Sequence, residues 1–230
     1  MPLGLMIHKR KTGSGEVQKK RSLYQNRDFP KFLLGLYVMS LGVVLSVKSD
    51  MGTSPISSLP LVITLSTGLS LGTTLMVVHS IFIIIQCFIV RSRRAFLLTV
   101  SQVPVTLGLS VFTDINTALL NWFEPEGILW ELGLMALSSV TIGLGIAWEI
   151  DSNVSMVADD GLVWRLHLIT GVKINTIITT FYTLFVSVAI VLSYLEFGSI
   201  LGVGVGTVFL ALTVGIFTQF FQNHDHIRAR

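Results

Sequence analysis

The sequence predicts an all-α polytopic membrane protein. Six transmembrane helices form two inverted three-helix repeats, each with a short broken or re-entrant segment after its first span. Three observations predict this. Apolar residues make up 51% of the 230-residue chain and charged residues 13%, with a mean hydropathy of +0.74. A soluble domain carries about 25% charge, and a fold this short in water needs such charge to cover its surface. Six stretches are long and apolar enough to cross a bilayer, and almost all basic residues fall on one side of the topology they imply. The single cysteine, Cys87, excludes a disulfide scaffold, and the composition excludes a disordered chain.

The chain opens on a polar tail, residues 1–29, with Lys9, Arg10, Lys11, Lys19, Lys20, Arg21 and Arg27, and Lys31 follows just beyond it. A cleaved signal places an apolar stretch soon after a short basic start. Here a long polar tail comes first, so no cleaved signal is expected. The tail reads as a flexible topology anchor beside anionic lipid, and no nucleic acid is expected as a partner.

A spanning helix needs about 20 mainly apolar residues, because hydrocarbon leaves backbone polar groups without partners. Residues 31–47, 71–90, 95–113, 128–148, 174–195 and 200–221 meet that requirement. Pro104 is expected to kink the third span by freeing the carbonyl four residues earlier. Residues 55–67, with Pro60, and 154–170, with Asp159, Asp160, Arg165 and His167, are too short or too polar to span comfortably. Re-entrant segments and segments flat at the interface both remain open for these two.

The positive-inside rule orients the spans. With the N-terminus cytoplasmic, Arg91, Arg93, Arg94, Arg165, Lys173, Arg228 and Arg230 lie inside. The outer connection carries Asp114, Glu124 and Glu126, and only Lys48 of the 16 basic residues faces out. The C-terminus is then cytoplasmic too. Trp122 and Trp130 flank the outer connection, where amphipathic rings settle at an interface.

The halves resemble each other at a shift of 101 residues, which lays Gly42, Asp50 and Ser54 on Gly143, Asp151 and Ser155. Residues 30–120 and 121–222 then form the two repeats, between the basic tail and a short C-terminal tail at 223–230. Three spans per half, an odd number, invert one half against the other, as in many transporters. Ser54-Pro55 is a good helix start, since serine caps free N–H groups and proline suits the first position. Ser155 is the corresponding candidate cap.

Candidate solute-contacting residues follow from this plan: Asp50, Ser54, Asp151 and Ser155 at the paired turns, His79 within the second span, and Thr180 and Thr183 on a hydroxyl stripe of the fifth. Carboxylates at such turns bind a cation, take protons or cap helices. A membrane-embedded histidine relays protons or packs with a hydrogen bond. A threonine stripe lines a polar path or joins helices. Glu149, Asp159 and Asp160 enrich the second copy, and Gln86 shares a face with His79. Gly35, Gly42, Gly202 and Gly206 offer close helix packing, within the chain or in a homo-oligomer. No phosphate-binding loop, HExxH, paired cysteines or nucleophile elbow occurs, so the sequence suggests no enzyme, cofactor or metal.

The run Asp50-Met51-Gly52-Thr53-Ser54-Pro55, followed by Ser57-Ser58-Leu59-Pro60 after a glycine-containing first span, resembles the YczE/YyaS/YitT-like family of bacterial integral membrane proteins. Gln102 and Val111-Phe112-Thr113-Asp114 fit the same pattern. The second half departs from it: Asn153-Val154-Ser155-Met156 stands where a Gly/Pro-containing echo is expected. The resemblance implies a multi-pass protein of the bacterial plasma membrane and no settled activity. The expected function is a small-solute transporter or permease acting on an unknown solute. The alternative is a non-transporting membrane partner or regulator working through helix and tail contacts.

Overall fold

The computed structural model describes residues 27–228, and of residues 224–228 only the helical backbone. Nearly all of the basic tail lies outside the described residues. Nine helices, and no strand, are present among those described: α1 Phe29–Lys48, α2 Pro55–Thr67, α3 Leu71–Ile89, α4 Arg93–Val100, α5 Gln102–Leu119, α6 Ile128–Ser152, α7 Ala158–Thr170, α8 Ile174–Phe197 and α9 Val205–Arg228. Six spans are long and apolar enough to cross a membrane, with α4 and α5 together forming one of 27 residues. Phe88 and Leu129 are 87% and 83% exposed, as expected of side chains facing acyl chains rather than water. The chain is a multi-pass helical membrane protein.

Local chemistry sets the helix ends. Asp28 accepts from the Lys31 amide, Ser54 from Ser57, Ser70 from Thr73 and Ser92 from Ala95. Each satisfies a first-turn N–H that has no partner inside its helix. The expected Pro104 kink is a break at Ser101, which ends α4 and begins α5. At the C-terminus α9 remains helical to Arg228, so the predicted tail from residue 223 is helical over most of its length.

The centre of the molecule is the antiparallel pair α1 and α6. Lipid is as apolar as leucine, so such a pair is held by close packing rather than by expulsion of water. Two glycines permit the approach. A Cβ on Gly42 would stand 2.6 Å from Ile142 Cγ1 and 2.8 Å from Ile142 N, and one on Gly145 2.6 Å from Met39 N and 2.7 Å from Gly35 O. Ser138 Oγ donates to Gly42 O at 2.7 Å. These contacts are reciprocal: Gly42 meets Ile142 and Ser138 as Gly145 meets Met39 and Gly35.

That reciprocity sets a register of 103 residues, not the 101 expected. Ser49 and Ser152 match under it: each donates to the carbonyl three residues back and accepts from the amide two residues on. Asp50 then matches Asn153, both at φ 54°, and Pro55, Gly68 and Leu71 match Ala158, Gly171 and Ile174. The identities at 101 lie one half-turn of helix off the packed register.

Both short helices pack into the bundle. The first turn of α7 packs along the second half of α3: Gln86 Nε2, in the last turn of α3, donates to Ala158 O at 3.0 Å, and Asp159 Oδ1 lies 3.9 Å from His79 Nε2 near its middle. The later turns of α7 descend past Ala95 and Thr99, whose oxygens accept from Arg165. The last turn of α2 lies at the opposite end, which begins α3: Thr64 Oγ1 is 2.8 Å from Thr74 Oγ1. Ile56 and Leu59 of α2 and Ala158 and Leu162 of α7 pack in one cluster with Phe82 of α3 and Phe185 of α8. Each short helix thus packs against the third helix of the other half, α2 on α8 and α7 on α3.

Candidate functional site

The halves share a backbone plan but not a chemistry. In the first half, Ser46 faces the turn before the short helix; its hydroxyl donates to Val43 O and lies 2.6 Å from Thr53 Oγ1. Ser54 caps α2 and bonds Ser57 Oγ at 2.9 Å. This end is neutral and its hydroxyls are paired. In the second half the position of Ser46 is Glu149, 1% exposed. Glu149 Oε1 accepts the Val157 amide at 2.8 Å, while Oε2 is buried without a partner. Val157 gives α7 no side-chain cap, so the helix N-terminus, with its partial positive charge, is answered by a carboxylate from α6.

Beside Glu149 stand further buried polar groups with unused capacity. His79 is 2% exposed and neither ring nitrogen has a hydrogen bond. Its Nε2 lies 3.9 Å from Asp159 Oδ1 in the first turn of α7, too long for a hydrogen bond, and that oxygen is likewise unpartnered. Gln86, two turns further along the same face of α3, exchanges two amide hydrogen bonds with Gln102 of α5, at 2.9 and 3.1 Å. Gly161 lets the Gln102 side chain pass, because a Cβ there would overlap its amide. A second orphaned stripe runs along α5, with Thr106 Oγ1 and Ser110 Oγ both buried and unpaired. Thr106 borders Met76, Ser80 and Ile83, the turns of α3 around His79.

A buried group left without a partner costs about 1–3 kcal/mol, more if charged. Native chains therefore rarely keep several together unless something uses them. Three acids, Glu149, Asp159 and Asp160, share this turn. Among the described residues no lysine or arginine forms an ion pair with any of them: Arg165 donates to Ala95 O and Thr99 Oγ1, and Lys31 pairs with Asp151 at 3.3 Å.

The residues singled out from sequence are dispersed. Asp50 is exposed at the far end of α1 and Asp151 sits at the far end of α6 beside Lys31. A 20-residue α1 separates them by about 30 Å, so the two do not converge. Ser54 caps α2 as expected. Ser155 does not cap α7; its hydroxyl faces Ser101 Oγ at 3.4 Å. Thr180 and Thr183 are exposed on the outer face of α8. Of the seven candidate solute-contacting residues only His79 lies in the buried polar cluster. Glu149 and Asp159, which carry it, stood out in the sequence only as acids enriching the second copy, because the 101-residue match pointed to Asp151 instead. Among the described residues no group of three or more His, Cys, Asp or Glu is disposed to hold a metal ion.

Two largely apolar grooves stand out, and neither is lined by Glu149, Asp159 or His79. One of about 280 Å³ lies between α6 and α9 against Met51, Met135 and Gly206, and the other, of about 210 Å³, between α3 and α5. Glu149 and Asp159 are enclosed, whereas Asp160 is exposed.

Comparison with known proteins gives a family without an activity. No solved structure matches the chain. It is 26% identical over 195 residues to the uncharacterized protein YyaS of Bacillus subtilis (strain 168), an alignment covering 84% of this chain and 94% of that protein. A family model described only as a family of unknown function matches residues 27–223, the whole bundle from the cap of α1 to the body of α9, and the chain belongs to that family, DUF6198.

Proposed function

We propose that this protein is a small-solute permease of the bacterial plasma membrane, in which two inverted three-span halves rock about the α1–α6 crossing. The observation that carries the reading is Glu149: fully buried, holding a half-helix N-terminus with one oxygen and nothing with the other, beside the unbonded His79–Asp159 pair. Half-helix ends in the middle of a bundle are where transporters of this plan bind their solute, and intramembrane ionisable groups mark pathways. The enclosed cluster corresponds to an occluded state. The positive-inside rule applied to Lys31, Arg91, Arg93, Arg94 and Lys173 supports a cytoplasmic position for the Glu149 end and for both termini in this reading. The function assigned is passage of a solute, without bond-making chemistry.

The test is flux of a solute panel into liposomes holding the purified full chain, with and without a pH gradient. Flux lost in Glu149→Gln and kept in Gly133→Ala supports the proposal; a glycine with open space around it makes Gly133→Ala a packing-neutral control. A second reading, a non-transporting membrane partner, is favoured by one observation: both cavities are apolar and neither reaches Glu149. It predicts no flux for any solute, and a cysteine at Ala158 that stays closed to membrane-impermeant thiol reagents from both sides.

A further inference from the structure

We infer that the Glu149–Asp159 cluster is a cation site that exchanges a small organic ammonium ion for protons. The inference rests on the permease reading and names its substrate class. The argument begins with charge. The Val157 amide and the partial positive charge at the start of α7 meet only one oxygen of Glu149, and Oε2 and Asp159 Oδ1 are left buried without a partner. Buried carboxylates need a cation or hydrogen-bond donors to offset their lost hydration, and among the described residues no lysine or arginine pairs with either of them. Each element packed around the cluster agrees. From α3 comes His79, enclosed and unbonded. From α7 come Asp160, which adds negative charge, and Arg165, which is turned to Ala95 O and Thr99. From α8 comes Tyr182, within electrostatic reach of Asp159 and Asp160. Of the charges on α1, Lys31 is paired with Asp151 and Lys48 stands at the opposite end. Asp114 of α5 is at that far end too, accepting from Ser70 Oγ and Gly72 N.

The wall of the cluster selects the kind of cation. Phe82 lies 5.8 Å from the His79 ring and 5.3 Å from both Phe181 and Phe185, which are 4.9 Å from each other. Aromatic faces attract alkylammonium ions, whereas small metal cations require several oxygen ligands. The exchange balances simply. One protonated carboxyl gives up its proton as one monovalent ammonium ion enters beside the resulting carboxylate, and on the other side of the membrane the steps reverse.

The experiment uses the full chain in liposomes with a trapped pH dye and tetramethylammonium as probe. Sodium, potassium and glycerol form the comparison arms. Proton release on mixing the detergent-solubilised protein with each probe is read in parallel. Tetramethylammonium is expected to drive proton movement and release, with loss of both in Glu149→Gln and Asp159→Asn and retention in Gly133→Ala. Gel filtration checks that the variants fold; if both fail, proton release by the unaltered chain decides. Sodium or potassium acting in place of tetramethylammonium overturns the substrate class. Glycerol flux without proton movement overturns the exchange and leaves the permease standing. Full exchange by a folded Glu149→Gln overturns the site. No flux and no proton release with any probe overturns both the exchange and the permease reading.

Discussion

Replacing Gly42 by alanine sets a methyl carbon 2.6 Å from Ile142 Cγ1, 2.8 Å from Ile142 N and 3.1 Å from Ser138 O. Carbon contacts are at rest near about 3.5–4.0 Å, so α1 and α6 must separate by roughly 1 Å, because backbone atoms do not rotate away. Overpacking of this kind costs about 1–3 kcal/mol. Alanine's greater helix preference returns up to about 1 kcal/mol, leaving a net loss of about 1–2 kcal/mol. For a soluble chain of this length that is a fall of roughly 2–8 °C in melting temperature. Gly145→Ala meets Met39 N at 2.6 Å and Gly35 O at 2.7 Å and should cost the same. The double variant should cost less than the sum, since a crossing already opened for one methyl admits the other. Cys87, the lone and partly covered thiol, reports unfolding in detergent through its reaction with a fluorogenic maleimide. Gly133→Ala, with nothing within 4 Å, is the control. Either crossing variant melting with Gly133→Ala, or full additivity in the double variant, refutes the reciprocal contact and the register of 103 drawn from it.

Other expectations follow from the same contacts. Gln86→Leu orphans the Gln102 amide and the Ala158 carbonyl, a loss of about 2–6 kcal/mol at 1–3 for each of the two groups; the Gln86→Leu/Gln102→Leu pair should be less damaging than Gln86→Leu alone, measured by the same thiol assay. Asp114→Ala removes the acceptor of Ser70 Oγ and Gly72 N at 2.8 Å and should destabilise by about 1.5–3 kcal/mol. Asp151→Asn breaks a part-exposed pair with Lys31 and should change stability by at most about 1 kcal/mol. Thr180→Ala with Thr183→Ala alters only the outer face of α8, and should leave stability within about 0.5 kcal/mol and liposome flux unchanged.

Much of the bundle was legible in the sequence because a bilayer imposes simple requirements. Span length follows from hydrocarbon thickness, so all six spans appear within a few residues of where they were expected. The cap at Ser54-Pro55 is a local motif and formed as read. The site was less legible. The matches of Asp50 to Asp151 and Ser54 to Ser155 are sequence identities. What pairs residues in space is the packing of α1 on α6, and that depends on which backbones approach closely enough to need a glycine. Gly42 pairs with Gly145 in that sense, although Gly143 matches it by sequence.

The sequence by itself determined a membrane protein, the number of its spans and the cap at Ser54, since these rest on composition and local chemistry. Only the tertiary structure decided that α2 and α7 pack into the bundle, and that Glu149 rather than Asp151 meets a half-helix end. It also decided that Asp50 and Asp151 stand at opposite ends of the bundle. The physical reason is that a two-residue change of register turns a helix by about half a turn. That is enough to move one carboxylate into the core and leave another beside Lys31 at the surface.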